Sequence, residues 1–283
     1  MANCKNLVVG WSSFSWAAAV YNKNNIYHDI LSSNTINYYH PILDHWKCLS
    51  IKSDSVAIVG MCKNVAHFVS RVERVFKNII PNFSNVYIYI YTNDNTDNTL
   101  KELEKFKKNI NVNEFIIENE IGITKLNRQD LSILVYGRNK GLEYARKKNV
   151  NYMMVIDLDD ACKYSPSSYF KEMKELTSNS NNVCISYAPS IYEFGDKFSL
   201  RSDKFPKCFW TLKDHTELWN DILPSKISKV YSYFGGYCLY NMSNVPKNAK
   251  YSNNDKNGNY CCEHVSFNEM LNGNHYILCV YDS

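Results

Sequence analysis

The sequence is short of several things, and each shortage closes off a class. Glycine and proline are scarce, 10 and 7 in 283 residues, which excludes collagen-like and low-complexity chains. No apolar run reaches the ~20 residues that a membrane helix needs, so no integral membrane segment is expected. Neither sign of charge dominates: 32 basic and 28 acidic residues leave a formal +4, scattered rather than gathered into the basic stripe that nucleic acid requires. Ten cysteines are present, none spaced C-x-x-C, too dilute for a disulfide scaffold and without paired zinc clusters. They read as mostly reduced core thiols. No repeat of 20 to 50 residues is seen.

What is present is ordinary globular material, 45% hydrophobic, 14% aromatic and 21% charged, long enough to bury a full core. Leu7 to Val20, with Lys5 before it and Ala17-Ala18-Ala19 near its end, has the outline of a signal peptide. Gly10, Ser12, Ser13 and Ser15 interrupt its apolar centre, so the expected location is cytoplasmic.

From Ser55 onward short apolar runs alternate with helical patterns, which predicts an α/β fold with a mostly parallel sheet. Strands are expected at Val56 to Met61, Val86 to Thr92, Val112 to Ile117, Tyr152 to Ile156, Val183 to Tyr187 and Tyr276 to Val280. Helices are expected at Ala66 to Ile80, stopped by Pro81, and at Leu100 to Lys107, Asp130 to Lys148, Ser167 to Thr177 and Glu263 to Leu271. The Asn-rich tracts at Asn179 to Asn182 and Asn253 to Asn259 are turn chemistry. Residues 1–52 form a block of their own, ending in the polar stretch Ser50 to Ser55, with a second domain over 53–283.

The chemistry is concentrated where Met153-Met154-Val155-Ile156 runs into Asp157-Leu158-Asp159-Asp160. Ligands of open α/β sheets bind beyond the carboxyl ends of strands, and Asp157 and Asp159, two apart in an extended segment, point to one side. Two hard oxygen ligands there suit Mg²⁺ or Mn²⁺, completed by water and diphosphate oxygens. An isolated D-x-D is more often a solvated loop. This one is joined by Tyr91 to Thr99, another polar run after a strand, whose simplest role is turn and helix capping by Asp97 or Asn98.

Six ordered segments carry a resemblance. Cys62-Lys63-Asn64, Asn93 to Thr99, Tyr136-Gly137-Arg138-Asn139, Asp157-Leu158-Asp159-Asp160, then Asp196 to Arg201 with Phe234-Gly235-Gly236-Tyr237 and Tyr240, and Cys262-Glu263-His264-Val265 together resemble nucleotide-sugar glycosyltransferases of the GT-A fold. They look closest to the capsule-associated mannosyltransferase-like type. The resemblance covers about residues 55–283 and implies a metal-dependent transfer of a sugar from a UDP- or GDP-linked donor to a glycan hydroxyl. It implies Mn²⁺ or Mg²⁺ held by Asp159 and Asp157 with help from His264. Asp157, Asp160, Arg138, Asn95, Asp97, Lys63 and Asn64 would contact the donor, and Gly235, Gly236, Tyr237 and Trp210 the acceptor. Glu263 would be the catalytic base, or would orient acceptor or sugar in a retaining enzyme. His275 is a weaker ligand candidate. Trp219, Tyr231 and Tyr233 are aromatic neighbours of which one or two are expected to meet a sugar ring.

The N-terminal Ser12-Ser13-Phe14-Ser15-Trp16, with Pro41 and Trp46 behind it, is similar to the C-terminal end of α-1,2-fucosyltransferase-like enzymes. That implies a small strand-helix-strand remnant with no donor site of its own. Two other functions compete for the D-x-D. A haloacid-dehalogenase-type phosphatase would use Asp157 as nucleophile and Asp159 as acid/base, though Ala161 and Cys162 stand where that class expects a Thr or Val. A carbohydrate-binding protein that kept the fold without turnover is the third reading.

Overall fold

In the computed structural model the structure describes residues 6–9, 25–29, 46–49, 54–123, 126, 131–159, 166–188, 198–203 and 227–279. Asp160, Asp196, Lys197, Trp210, Trp219 and most of the N-terminal motif lie outside the described residues. The chain divides into two compact units, Met1–Ser53 and Asp54–Ser283. The first holds three strands, β1 (Asn6–Val9), β2 (Asn25–Asp29) and β3 (Trp46–Leu49), in a parallel sheet with β2 central.

The second unit is built on one eight-stranded sheet. Its strands are β4 (Ser55–Cys62), β5 (Asn85–Asn93), β6 (Glu114–Glu120), β7 (Tyr152–Asp157), β8 (Asn182–Ala188), β9 (Ile227–Val230), β10 (Tyr237–Asn241) and β11 (Asn274–Cys279). They lie in the order β6-β5-β4-β7-β10-β8-β11-β9. Strands β6, β5, β4 and β7 are parallel, and β8 pairs parallel with β11, while β10 runs antiparallel between β7 and β8 and β9 closes the far edge antiparallel. This is the expected α/β class, a mixed and mostly parallel sheet. The central β4 and β7 are apolar on both faces because helices cover both.

The helices follow from their spacing. In α1 (Val69–Ile79) the buried residues Val69, Val72, Val75, Phe76 and Ile79 make one stripe, and the helix passes into a 3-10 turn at Ile80–Asn82 that carries Pro81. Helix α2 (Thr99–Asn109) buries Leu103 and Phe106. Helix α3 (Ser132–Lys148) ends on Arg146, Lys147 and Lys148, with Asn149 in the left-handed conformation at φ 51°, a favourable basic terminus and cap. Helix α4 (Ser167–Thr177) occupies the predicted span and follows Pro166. Helix α5 (Glu263–Asn268) is a short, wholly buried segment, three residues shorter than its sequence pattern suggests. The sequence pattern also misses β9 and β10.

Topology places the site. From β4 the chain steps outward to β5 and β6, then returns past β4 to lay down β7 on its other side. The crevice between the carboxyl ends of β4 and β7 is therefore the switch point where open α/β sheets receive ligands. Met61 pairs with Asp157 there.

Candidate functional site

Three chain segments converge on that crevice. Cys62 ends β4, Asp157 ends β7 with the half-buried Asp159 two residues on, and the Asp94 to Asn98 loop follows β5. Their proximity registers in the Cys62 thiol: burial, with the negative charges of Asp159 and Asp97 added, pushes it up to about 12 despite a hydrogen bond with Thr92.

The β4 and β5 loops are tied to each other. Asn64 N–H donates to Asn95 Oδ1 at 2.9 Å, and Thr96 N–H returns a bond to Asn64 Oδ1 at 2.7 Å. Asn64 sits at φ 55°, a left-handed backbone that asparagine tolerates better than most residues. Asp97 accepts from Ala66 N–H and from the backbone and hydroxyl of Thr99, so it caps the start of α2 and anchors the neighbouring loop together. Asn64, Asn95 and Asp97, expected as donor contacts, thus serve a loop clasp first. Lys63 is exposed beside them.

Arg138 belongs to the same crevice. The resemblance turns it towards donor phosphates, yet its side chain is 4% exposed and its guanidinium forms an ion pair with Asp157. Arg138 Nε also lies 3.8 Å from Glu263 Oε1, and the guanidinium stands 5.1 Å over the Phe234 ring. Helix α3 gets close enough because of two glycines one turn apart. A Cβ on Gly137 would fall 2.4 Å from Met61 Cε, and one on Gly141 would fall 3.0 Å from Val59 Cβ. Burial disfavours the guanidinium charge, but Asp157 and Glu263 outweigh it and raise the Arg138 pKa above its ordinary value. Burial also pushes the Asp157 carboxyl up, against the pull of Arg138 and with the help of Asp159 and Glu263.

Glu263 opens α5 and is buried, with Arg138 on one side and His264 Nε2 at 3.6 Å. His264 is 1% exposed and lies flat on Phe234, ring centroids 3.8 Å apart. Burial and the charge of Arg138 hold it well below the usual histidine range, so it is neutral at pH 7. Neither of its nitrogens has a hydrogen-bond partner among the described residues. His264 is expected as a metal ligand; among the described residues no three His, Cys, Asp or Glu side chains form a metal-holding group, and Asp160 lies outside those residues. A cation at Asp157 and Asp159 would therefore complete its shell from substrate oxygens and water, which is how Mg²⁺-type sites on nucleotides are commonly built. The two hard oxygen donors at the crevice fit that chemistry.

The glycine pair has a packing role. A Cβ on Gly235 would lie 1.8 Å from the Tyr187 carbonyl oxygen, and Gly236, at φ 102°, presents its carbonyl to the Asp157 N–H at 2.8 Å. Tyr237, expected at the acceptor, is fully buried and stacked on Tyr187 at 4.1 Å. Tyr233 is buried as well, whereas Tyr231 is exposed. His275 lies on β11 beside Cys184, inside the sheet. Tyr251 was not singled out from sequence, and Phe234 was named only as part of its motif, without a role. Tyr251 is held by Asn139, which donates to its carbonyl and accepts from its N–H. The aromatic run around Phe234 and the Asn139 that follows Arg138 were the available signals.

No family model matches the sequence, and no curated protein does. Solved structures with a similar course include the mannosyltransferase PcManGT from Pyrobaculum calidifontis in complex with GDP-Man and Mn²⁺, at 8% identity and TM-score 0.48, over 80% of this chain and 55% of that one. S. aureus TarS 1-349 matches at 13% identity and TM-score 0.47, over 81% and 58%. Glucosyl-3-phosphoglycerate synthase from Mycobacterium tuberculosis, in complex with Mn²⁺, UDP and glucosyl-3-phosphoglycerate, matches at 10% identity and TM-score 0.34, over 67% and 58%. The chain spans little more than half the length of these structures.

Proposed function

We propose that the 54–283 unit is a GT-A-type glycosyltransferase that uses a divalent cation, Mn²⁺ or Mg²⁺, to move a sugar from a nucleotide diphosphate to a glycan hydroxyl. The observation that carries this reading is the position of Asp157 and Asp159 at the β4/β7 switch point, with the buried Arg138 guanidinium turned inward onto Asp157. Arg138 fixes one Asp157 oxygen and leaves Asp159 as the principal ligand. When bound, the cation would neutralise charge on the departing diphosphate. The Asn64–Asn95 clasp ties the β4 and β5 loops together, and a nucleoside would lie against them. Glu263 would meet the acceptor hydroxyl from the α5 side, as base in an inverting reaction or as an orienting group in a retaining one.

The phosphatase reading needs Asp157 as a free nucleophile, and its carboxylate is instead engaged by Arg138. The nucleotide, the sugar and the acceptor follow from pocket shape, and a mannosyl or other hexosyl donor is within this reading. The test is calorimetric titration of the full chain with UDP and GDP, each with Mn²⁺ and with chelator, alongside Asp159→Ala. Metal-dependent binding of one nucleotide, lost in the variant, is expected. Absence of binding by either nucleotide under both conditions would overturn the reading.

A further inference from the structure

A second polar cluster is built into the far half of the sheet, where the transfer chemistry does not use it. Strands β10, β8 and β11 are neighbours, and their register sets Cys184 of β8 beside Tyr240 of β10 and His275 of β11, with Cys238 opposite Ser186. Cys184 and Cys238 are diagonal neighbours on one face, 1% and 0% exposed, with their sulfurs 2.7 Å apart. Ser186 Oγ lies 3.6 Å from Cys184 Sγ and donates its own proton to the Tyr233 carbonyl. His275 is buried, and its Nδ1 has no partner among the described residues.

Two sulfurs this close are too near for a shared metal, since thiolates about 2.3 Å from a tetrahedral zinc stand well over 3 Å from each other. Both thiols are free, in direct contact but farther apart than the about 2.05 Å of a covalent S–S bond. Burial opposes ionisation of Cys184, but the Cys238 thiol and His275 outweigh it and lower the Cys184 pKa, while Cys238 is held well above the ordinary thiol range. In the closed ladder Cys184 is therefore the more acidic thiol of the pair and Cys238 the protonated one. Among the other described cysteines, Cys62, Cys261 and Cys279 have thiols pushed upward by burial.

We propose that Cys184 and Cys238 are a disulfide-forming pair, oxidised by a low-molecular-weight disulfide of the glutathione type, which staples β8 to β10. The Cys184 thiolate attacks one sulfur of the small disulfide, whose S–S bond breaks and releases one small thiolate that takes a proton from water. The Cys238 thiol loses its proton to water and attacks the Cys184 sulfur of the mixed disulfide, and the second small thiolate leaves and takes up a proton from water. Two protein thiols are oxidised and one small disulfide is reduced to two thiols. Because both sulfurs are buried, the exchange takes place while the β8–β10 ladder is open, during folding or sub-global opening. The bridge would close the segment that contains Gly235 and Gly236, the turn against Asp157, and would remove loop entropy from the unfolded chain.

The experiment is refolding of the reduced, denatured full chain into a reduced/oxidised glutathione buffer, an alkylating quench, and non-reducing peptide mapping by mass spectrometry. The expected result is one dominant cross-linked peptide, Cys184 to Cys238, and a guanidinium midpoint higher for oxidised than for reduced wild type. Cys184→Ser and Cys238→Ser should each lose the cross-link and the oxidant-dependent shift. Alkyl groups on both cysteines, glutathione adducts that never resolve, or pairings spread evenly over the ten cysteines would each overturn the proposal. Mapping of wild type alone decides it if the serine variants fail to fold.

Discussion

Replacing Arg138 by Met keeps the unbranched stem against Phe234 and removes only the charge. Asp157 and Glu263 then lose their common cation. Removing one partner of a buried ion pair costs about 3–5 kcal/mol, because the remaining charge is stranded. The two carboxylates are not equally stranded: the Asp157 side chain is 30% exposed and regains water, while Glu263 is 5% exposed and cannot. That exposure puts the expected loss at the low end, about 3 kcal/mol, or roughly 6–12 °C in Tm for a domain of this size. The structure also predicts how the loss is repaired. Glu263→Gln added to Arg138→Met removes the stranded charge and should recover about half of it, whereas Asp157→Asn in the same background should recover less. Guanidinium unfolding of wild type, the single variant and the two double variants measures this directly. A loss under about 1 kcal/mol, or equal recovery by the two second substitutions, would refute the view that Arg138 is the buried counter-ion of Glu263.

Other expectations follow from single contacts. Gly235→Ala should destabilise by at least about 1–3 kcal/mol and weaken nucleotide binding, because the new methyl meets the Tyr187 backbone 1.8 Å away; an unchanged denaturation midpoint would contradict it. Asn64→Gly keeps the left-handed backbone and loses only the side-chain half of the clasp, the bond from Thr96 N–H, about 1 kcal/mol, while Asn64→Ala adds a backbone cost of about 1 kcal/mol; equal midpoints for the two variants would remove the φ argument. On the β6 face, hydrogen bonds from Lys148 hold the Glu114 carboxyl, and from Lys140 the Glu120 carboxyl, below the usual carboxylate range. Their folded values lie below the unfolded value of about 4.3, so the stabilisation is present above that pH and is lost as pH falls through the folded values. Tm measured from pH 7 to pH 3 should therefore drop less steeply in Lys140→Met than in wild type.

Much of the parallel half was legible because its signals are local. A buried run ending in acids marks β7, and α4 falls between Pro166 and a turn. Strand β10 was not legible: Tyr237–Asn241 is five residues, four of them buried, so it lacks the period-2 pattern that reveals a strand with one wet face. Gly235 and Gly236 before it, and its first residue Tyr237, read from sequence as acceptor contacts; in the structure Gly235 abuts the Tyr187 backbone and Tyr237 stacks on the Tyr187 ring. The inward turn of Arg138 was half legible. Gly137 and Gly141, four apart, mark the face of α3 that presses on β4, and Arg138 borders that face. What a single sequence does not show is that its two carboxylate partners, Asp157 and Glu263, arrive from segments far along the chain.

The carboxylates of β6 also bear on what the sheet does when it meets another copy of itself. β6 is an outer strand, and its Glu114, Glu118 and Glu120 are each engaged by Lys148 or Lys140 of α3 and by tyrosines Tyr144, Tyr89, Tyr91 and Tyr136. A second strand arriving at this border would have to accept a row of acids already committed to the helix behind it, and charged outer strands of this kind resist edge-to-edge growth. The ladder that fastens α3 to the sheet therefore also guards its β6 border against pairing with another copy.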